Sequence, residues 1–225
     1  MFYQAHDLIF FSKYHTFKMV TDINQLDING IYSYADYLMW QFDERVELLK
    51  GKIFRMSPAP STRHQKISAK ISNSIFNFIL RSSCEVFSAP FDVRLSVNKN
   101  INISKKYRNK TKSLPDGKIM TVVQPDICVI CNPDILDEKG CVGSPDVVLE
   151  ILSPGNSRRE MKDKFEIYQE AAIQEYWIVD PEHEFIIIYY LQKGIYVGSA
   201  PYYGGDIIKS QTIKGFTLEV ENVFK

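Results

Sequence analysis

Apolar positions in this chain gather in short runs broken by turn-forming residues, with few long stripes. The run "SPDVVLEILSPG" (144–155) has the composition of a strand buried on both faces, yet Glu150 stands in its middle. Removing even a simple polar group from water costs on the order of 2–7 kcal/mol unless something pairs with it. Upstream, "IYSYADYLMWQF" (31–42) predicts a helix with Ser33 as N-cap. "RVELLKGKIFRMSP" (45–58) predicts a hairpin turning at Lys50-Gly51. Residues 62–83 repeat apolar positions at helical spacing, which sets Ile67, Ile71, Ile75 and Phe78 on one face. Strands are expected at 84–88, 91–97, 121–131, 146–152, 175–179 and 184–191, a helix at 158–172, and one or two short strands in the tail. Strands and helices mix without strict alternation, which predicts an α/β (α+β) fold, a mixed sheet flanked by helices.

The 225 residues can enclose a substantial core. Residues 1–18 lack periodicity and the parts of a secretion signal, and are read as a disordered or mis-started extension before a single domain at 19–225. The chain carries 27 basic and 27 acidic residues, so a general polyanion binder is disfavoured and nucleic-acid contact must rest on a local patch. One such patch exists at 98–118, with seven Lys/Arg against one Asp; it is a solvated loop or a phosphate contact. No apolar run approaches the roughly 20 residues that span a bilayer. Cys84, Cys128, Cys131 and Cys141 lack the partners of a zinc site and are expected to be buried reduced thiols of a cytoplasmic protein.

The partners of Glu150 carry the chemistry. Asp126 interrupts the apolar run "TVVQPDICVIC" much as Glu150 interrupts its own. Neighbouring strands lie about 4.8 Å apart, and two carboxylates that close repel unless a cation sits between them or one is protonated. Oxygen ligands suit Mg²⁺ or Mn²⁺. Asp146, on the same face of the strand, is about 13 Å away and cannot share that ion. On a helical wheel of 158–172, Lys164 is the one charge inside the arc of Met161, Phe165, Tyr168 and Ala171. It either snorkels outward along its stem or points at the acids. Glu47 is a further acid among apolar neighbours. His64, in line with Ile67 and Ile71, is a core histidine or a supporting residue behind the acids.

The order "QPDICVI … PDVVLEILSPGNSRREMKDKFEIYQEAAIQEYWIVDP", with "RVELLKGKIFRMSPAPSTRHQKI" before it, resembles the Uma family of restriction-endonuclease-like proteins in the PD-(D/E)xK nuclease superfamily. The resemblance implies a restriction-endonuclease-like fold and a metal-dependent endonuclease, with DNA as substrate and Mg²⁺ or Mn²⁺ as cofactor. It assigns Asp126 and Glu150 to the metal, and Glu47 and Lys164 to the catalytic set with them. The superfamily's usual lysine position is occupied by Leu152, and Lys164 takes that role. A degenerate nuclease fold acting as a binding or assembly module, or a metal-dependent hydrolase of a substrate other than nucleic acid, would carry the same residues. The aromatic surplus of "EYWIVDPEHEFIIIYYL" adds the expectation of a homodimer.

Overall fold

The computed structural model describes residues 19–56, 59–96, 115–153 and 158–225. The extension 1–18 and most of the basic patch, 97–114, lie outside the described residues.

The first α-helix is a single turn, α1 (Tyr34–Tyr37), rather than a helix over 31–42. Asp36 Oδ2 accepts from both the backbone N and the Oγ of Ser33 at 2.7 Å, which closes the turn. The expected hairpin follows as β1 (Val46–Leu49) and β2 (Lys52–Arg55). Lys50 and Gly51 take φ of 52° and 83° between them. Two successive left-handed residues match the right-handed twist of the flanking strands.

Helix α2 spans Thr62–Ile79, with Ser61 Oγ accepting from His64 N at 3.2 Å as its cap. Its buried face is His64, Ile67, Ile71, Ile75 and Ile79. Phe78, expected on that face, is 47% exposed and meets the ring of Phe216 edge-on. Strands β3 (Glu85–Ser88), β4 (Val93–Leu95), β5 (Thr121–Val123) and β6 (Ile127–Ile130) come next. The run 121–131, read as one strand, is therefore two. Pro125 lacks an N–H for a ladder and breaks it, and the two halves enter different sheets. A hairpin that the pattern did not reveal, β7 (Leu136–Asp137) and β8 (Gly140–Val142), precedes β9 (Val147–Ile151). Helix α3 (Arg158–Glu170), β10 (Glu175–Asp180), β11 (Phe185–Gln192), β12 (Ile195–Gly198), β13 (Ile207–Lys209), β14 (Thr217–Glu219) and α4 (Val220–Phe224) complete the order.

The strands form two six-stranded sheets, β2-β1-β5-β4-β8-β7 and β12-β11-β10-β9-β6-β3, plus the ribbon β13-β14. Each large sheet is mixed: β4 runs parallel to β8 and β9 parallel to β10, while their other pairings are antiparallel. The α+β architecture expected from the mixing of elements is the one present. The second sheet is the middle layer. Ile127, Val129, Leu149, Ile151, Trp177 and Val179 face α2. Cys128, Ile130, Val148 and Tyr176 face α3 and the inner side of the first sheet, where Leu49, Val93 and Val123 lie. Burying aliphatic side chains at roughly 1.5–3 kcal/mol each makes this sandwich the dominant source of stability.

Two expectations change. Cys84 and Cys131 are joined in a disulfide across the ends of the paired strands β3 and β6, so they are not reduced thiols; Cys128 and Cys141 are free and buried. A reducing compartment no longer follows from the cysteines. The aromatic surplus of 175–191 is also consumed within the chain: β10 is buried along nearly its whole length. Phe165, Tyr176, Tyr189 and Tyr196 pack edge-on, tilted or stacked within 4.9–6.4 Å of one another. A homodimer does not follow from that surplus. Among the described residues no helix is long and apolar enough to cross a membrane.

Gly140 shows how tightly the first sheet is closed. Its φ is 130°, and a Cβ there would run into the backbone oxygen of Asp92. Gly140→Ala is expected to lower stability by about 2 kcal/mol or more. The midpoint of urea unfolding measures this, and an unchanged midpoint contradicts it.

Candidate active site

The site forms where the second sheet, the first sheet and α3 meet. The Ile127↔Leu149 pairing places Asp126 and Glu150 opposite each other one step further along β6 and β9. Both line a cleft of about 530 Å³. Glu150 points to the α3 side because period two sets it on the face of Val148.

Lys164 is 6% exposed and directed at the acids, not snorkelling. Its Nζ lies 3.0 Å from Glu150 Oε1 and 3.1 Å from Glu47 Oε1. Glu47, on β1, is 1% exposed, and its Oε1 also accepts the backbone N–H of Gln124 at 2.8 Å. Its partners among the described residues are thus the lysine and the backbone of Gln124, just past β5. Tyr168, one helical turn beyond Lys164, donates its hydroxyl to Glu150 Oε1 at 2.6 Å. On the other side, Asp126 Oδ2 accepts from Ile151 N at 2.7 Å and meets His64 Nε2 at 3.2 Å. Among the described residues, the buried His64 Nδ1 has no partner, so Nε2 carries the proton toward Asp126 in the neutral ring. All five residues expected from the sequence, Asp126, Glu150, Lys164, Glu47 and His64, are brought together.

Electrostatics follow the packing. Burial raises the Glu150 carboxyl to about 7; repulsion from Asp126 and Glu47 adds to it, and Lys164 and the Tyr168 hydroxyl oppose it. Burial works against the Lys164 ammonium, but Glu150 and Glu47 outweigh it and hold the lysine protonated. Burial lowers the His64 pKa, and the Asp126 contact more than reverses this.

A second buried acid shows what a purely structural carboxylate looks like here. Glu175 is fully buried, and both oxygens are used. Oε1 accepts Trp177 Nε1 at 2.7 Å, and Oε2 accepts Ser210 Oγ, Gln211 N and Thr212 N at 2.9–3.1 Å. Asp126 and Glu150 differ: the described residues donate to one oxygen of each, and both acids stand in the wall of a cleft. Among the described residues no three His, Cys, Asp or Glu side chains come close enough together to hold an ion. The two carboxylates at the cleft are hard oxygen donors, the chemistry that suits an ion such as Mg²⁺ that keeps several waters.

Pattern reading missed three neighbours. Tyr168 was assigned to the core, although a buried phenol needs a hydrogen-bond partner and signals a polar neighbour. Gln124 lies in the strand break; its Nε2 donates to Asp92 at 2.8 Å and its Oε1 accepts from Arg45 at 2.6 Å. Arg45 is exposed on the cleft wall, and no sequence signal pointed to it.

Mixed sheets flanked by helices are the α+β fold expected of a restriction-endonuclease-like protein. Comparison with known proteins agrees: residues 34–221 match the Uma2 family, described as "Putative restriction endonuclease", and the chain belongs to that family. An uncharacterized protein of Synechocystis sp. is 23% identical over 158 residues, covering 69% of this chain and 72% of its own length. A crystal structure from Anabaena variabilis, described as a putative nuclease belonging to DUF820, superposes with a TM-score of 0.63. It is 17% identical and covers 86% of this chain and 97% of its own, which shows the shared fold.

Lys164 makes the strongest local prediction. A lone snorkelling lysine could be replaced by Met at no cost, but here removal leaves two buried acids without their cation. Lys164→Met is expected to cost roughly 3–5 kcal/mol, and adding Glu47→Gln should recover part of it. Denaturant unfolding of the single and double variants measures both, and full stability in the single variant contradicts the arrangement.

Proposed function

We propose that the protein is a metal-dependent endonuclease that hydrolyses phosphodiester bonds in DNA. The observation that carries this is the pairing of Asp126 and Glu150 across adjacent strands in a cleft wall, with Lys164 behind them. Asp126 and Glu150 would hold Mg²⁺ or Mn²⁺, which supplies Lewis-acid polarisation of the phosphoryl oxygen and a bound water of lowered pKa. The remaining steps belong to the protein. Ile151 N and His64 fix the Asp126 carboxylate, and Tyr168 fixes that of Glu150. Rigid strands hold both acids in place, as a ligand pair requires.

Lys164 stays an ammonium between two acids, so it acts as a donor and not as the base. It has three N–H groups, of which Glu47 and Glu150 take two. The third can be aimed at negative charge developing on the phosphoryl group. Glu47 in this reading positions Lys164. Arg45, oriented by Gln124, adds a cation at the cleft wall for a substrate phosphate.

The test is metal binding followed by turnover. Asp126→Asn and Glu150→Gln should each abolish Mn²⁺ binding in calorimetry while the circular dichroism spectrum is retained. Unchanged affinity in both variants refutes the site. Parental Mn²⁺ affinity should weaken as pH falls below about 7, because the Glu150 carboxyl raised to about 7 takes up a proton there and must lose it to bind. Tyr168→Phe keeps the ring and removes the hydroxyl, and cleavage of plasmid DNA should fall by roughly tenfold or more. Parental cleavage by that variant would remove Tyr168 from the positioning set.

A further inference from the structure

The cleft extends past the acids along one flank of α2. With about 100° per residue, Ser61, Gln65, Ser68 and Ser72 share that flank, and the first three line the cleft. The helix's cations lie on the opposite arc. Arg63 pairs with Glu184, and neither it, Lys66 nor Lys70 lines the cleft. Facing the α2 flank is the end of β3 and the turn after it, where Ser88 and Pro90 line the cleft and Ser88 Oγ meets Ser72 Oγ at 2.9 Å. Met56 and Pro60 add apolar surface to the same space.

Cations are few in the described part of this lining. It holds three carboxylates, Asp126, Glu150 and Glu160, of which the first two are the proposed metal ligands, with Lys164, Arg45 and the titratable ring of His64. Lys164 is already engaged by two acids, whereas Arg45 is held by the neutral amide of Gln124 and forms no ion pair among the described residues. Duplex recognition relies on many phosphate contacts from Lys and Arg. A volume of about 530 Å³ is instead that of a small-ligand pocket, typically about 300–1,000 Å³, with apolar patches and a few neutral donors and acceptors. Hydroxyl and amide groups beside the apolar side chains of Met56 and Pro60 match the edge of a base and its sugar.

We propose that the wall formed by Gln65, Ser68 and Ser88 is a nucleoside subsite that seats one unpaired nucleotide next to the scissile phosphate, so that the preferred substrate is a single strand or an unpaired region of a duplex. The proposal rests on the nuclease reading above for its phosphate position. Arg45 then serves the single phosphate that accompanies the seated nucleotide.

The experiment compares binding of a fluorescein-labelled short single-stranded DNA and its duplex, by anisotropy, in the full chain. The single strand is expected to bind on the order of tenfold tighter than the duplex, given the typical worth of seating one base. Ser68→Tyr, which fills the subsite, should erase the preference, and Gln65→Leu, at an exposed helical position, should reduce it severalfold. Circular dichroism checks that both variants fold. Equal or tighter duplex binding, no binding of the single strand, or an intact preference in both variants overturns the subsite. Hydrolysis of bis(p-nitrophenyl) phosphate with Mn²⁺ by the parental protein, a diester without a base, tests the chemistry separately. Hydrolysis without strand preference leaves the nuclease reading standing and removes the subsite. Strand preference without hydrolysis retains the subsite in a binding protein and removes the nuclease reading.

Discussion

The ammonium of Lys164 joins three elements that otherwise only pack against one another. Glu47 comes from the first sheet, Glu150 from the second, and the lysine from α3. Each group alone would be costly in this position, because burial penalises every one of the charges. Together they require the sheets and the helix to meet at one distance, close to 3 Å from nitrogen to oxygen. Apolar layers can slide and repack with modest loss. A buried triad of one cation and two anions cannot, so it sets the register of the layers as well as the electrostatics of the cleft.

That constraint explains the division of labour among the acids. Glu47 is spent on the lysine and on Gln124 N, which leaves Asp126 and Glu150 as the pair directed at the cleft. Asp126 lies at the break between β5 and β6, where Pro125 ends one ladder and the chain crosses from the first sheet to the second. The same break brings Gln124 beside Arg45 and Asp92. One interruption of an apolar run thus supplies a ligand, a backbone donor to Glu47 and the orientation of an arginine. Burying Glu150 near a lysine also keeps it close to its protonation point near neutrality, where ion binding and proton loss are coupled.

The contrast between Glu175 and Glu150 separates structure from chemistry in the same sheet. Both occupy strands, Glu175 fully buried and Glu150 14% exposed at the cleft. Glu175 has both oxygens filled by an indole, a hydroxyl and two backbone amides, which ties the 210–212 turn to β10. Glu150 accepts its visible hydrogen bonds on one oxygen and borders an open volume. Burial alone does not mark a functional acid; incomplete local satisfaction beside a cavity does.

Much of this was legible in the linear order of residues. A charge inside an apolar run, as at Glu150 and Asp126, or inside an apolar arc, as at Lys164, carries its own signal, because burying it demands a partner. The Lys50-Gly51 turn and the face of α2 through Ile75 were legible for the same local reason: dihedral preference and periodicity act over a few residues. The sequence could not show that 121–131 divides between two sheets, that Cys84 reaches Cys131, or that the aromatics of β10 and β11 are used up within the chain. Those outcomes depend on which strands become neighbours. Nor could it show that Glu47 faces the lysine while Tyr168 reaches Glu150, since hydrogen-bond geometry is set only when three layers close on one point. By itself the sequence determined which residues had to find partners; the tertiary structure decided which partners they found, because contacts between residues far apart in the chain are fixed by packing and not by spacing.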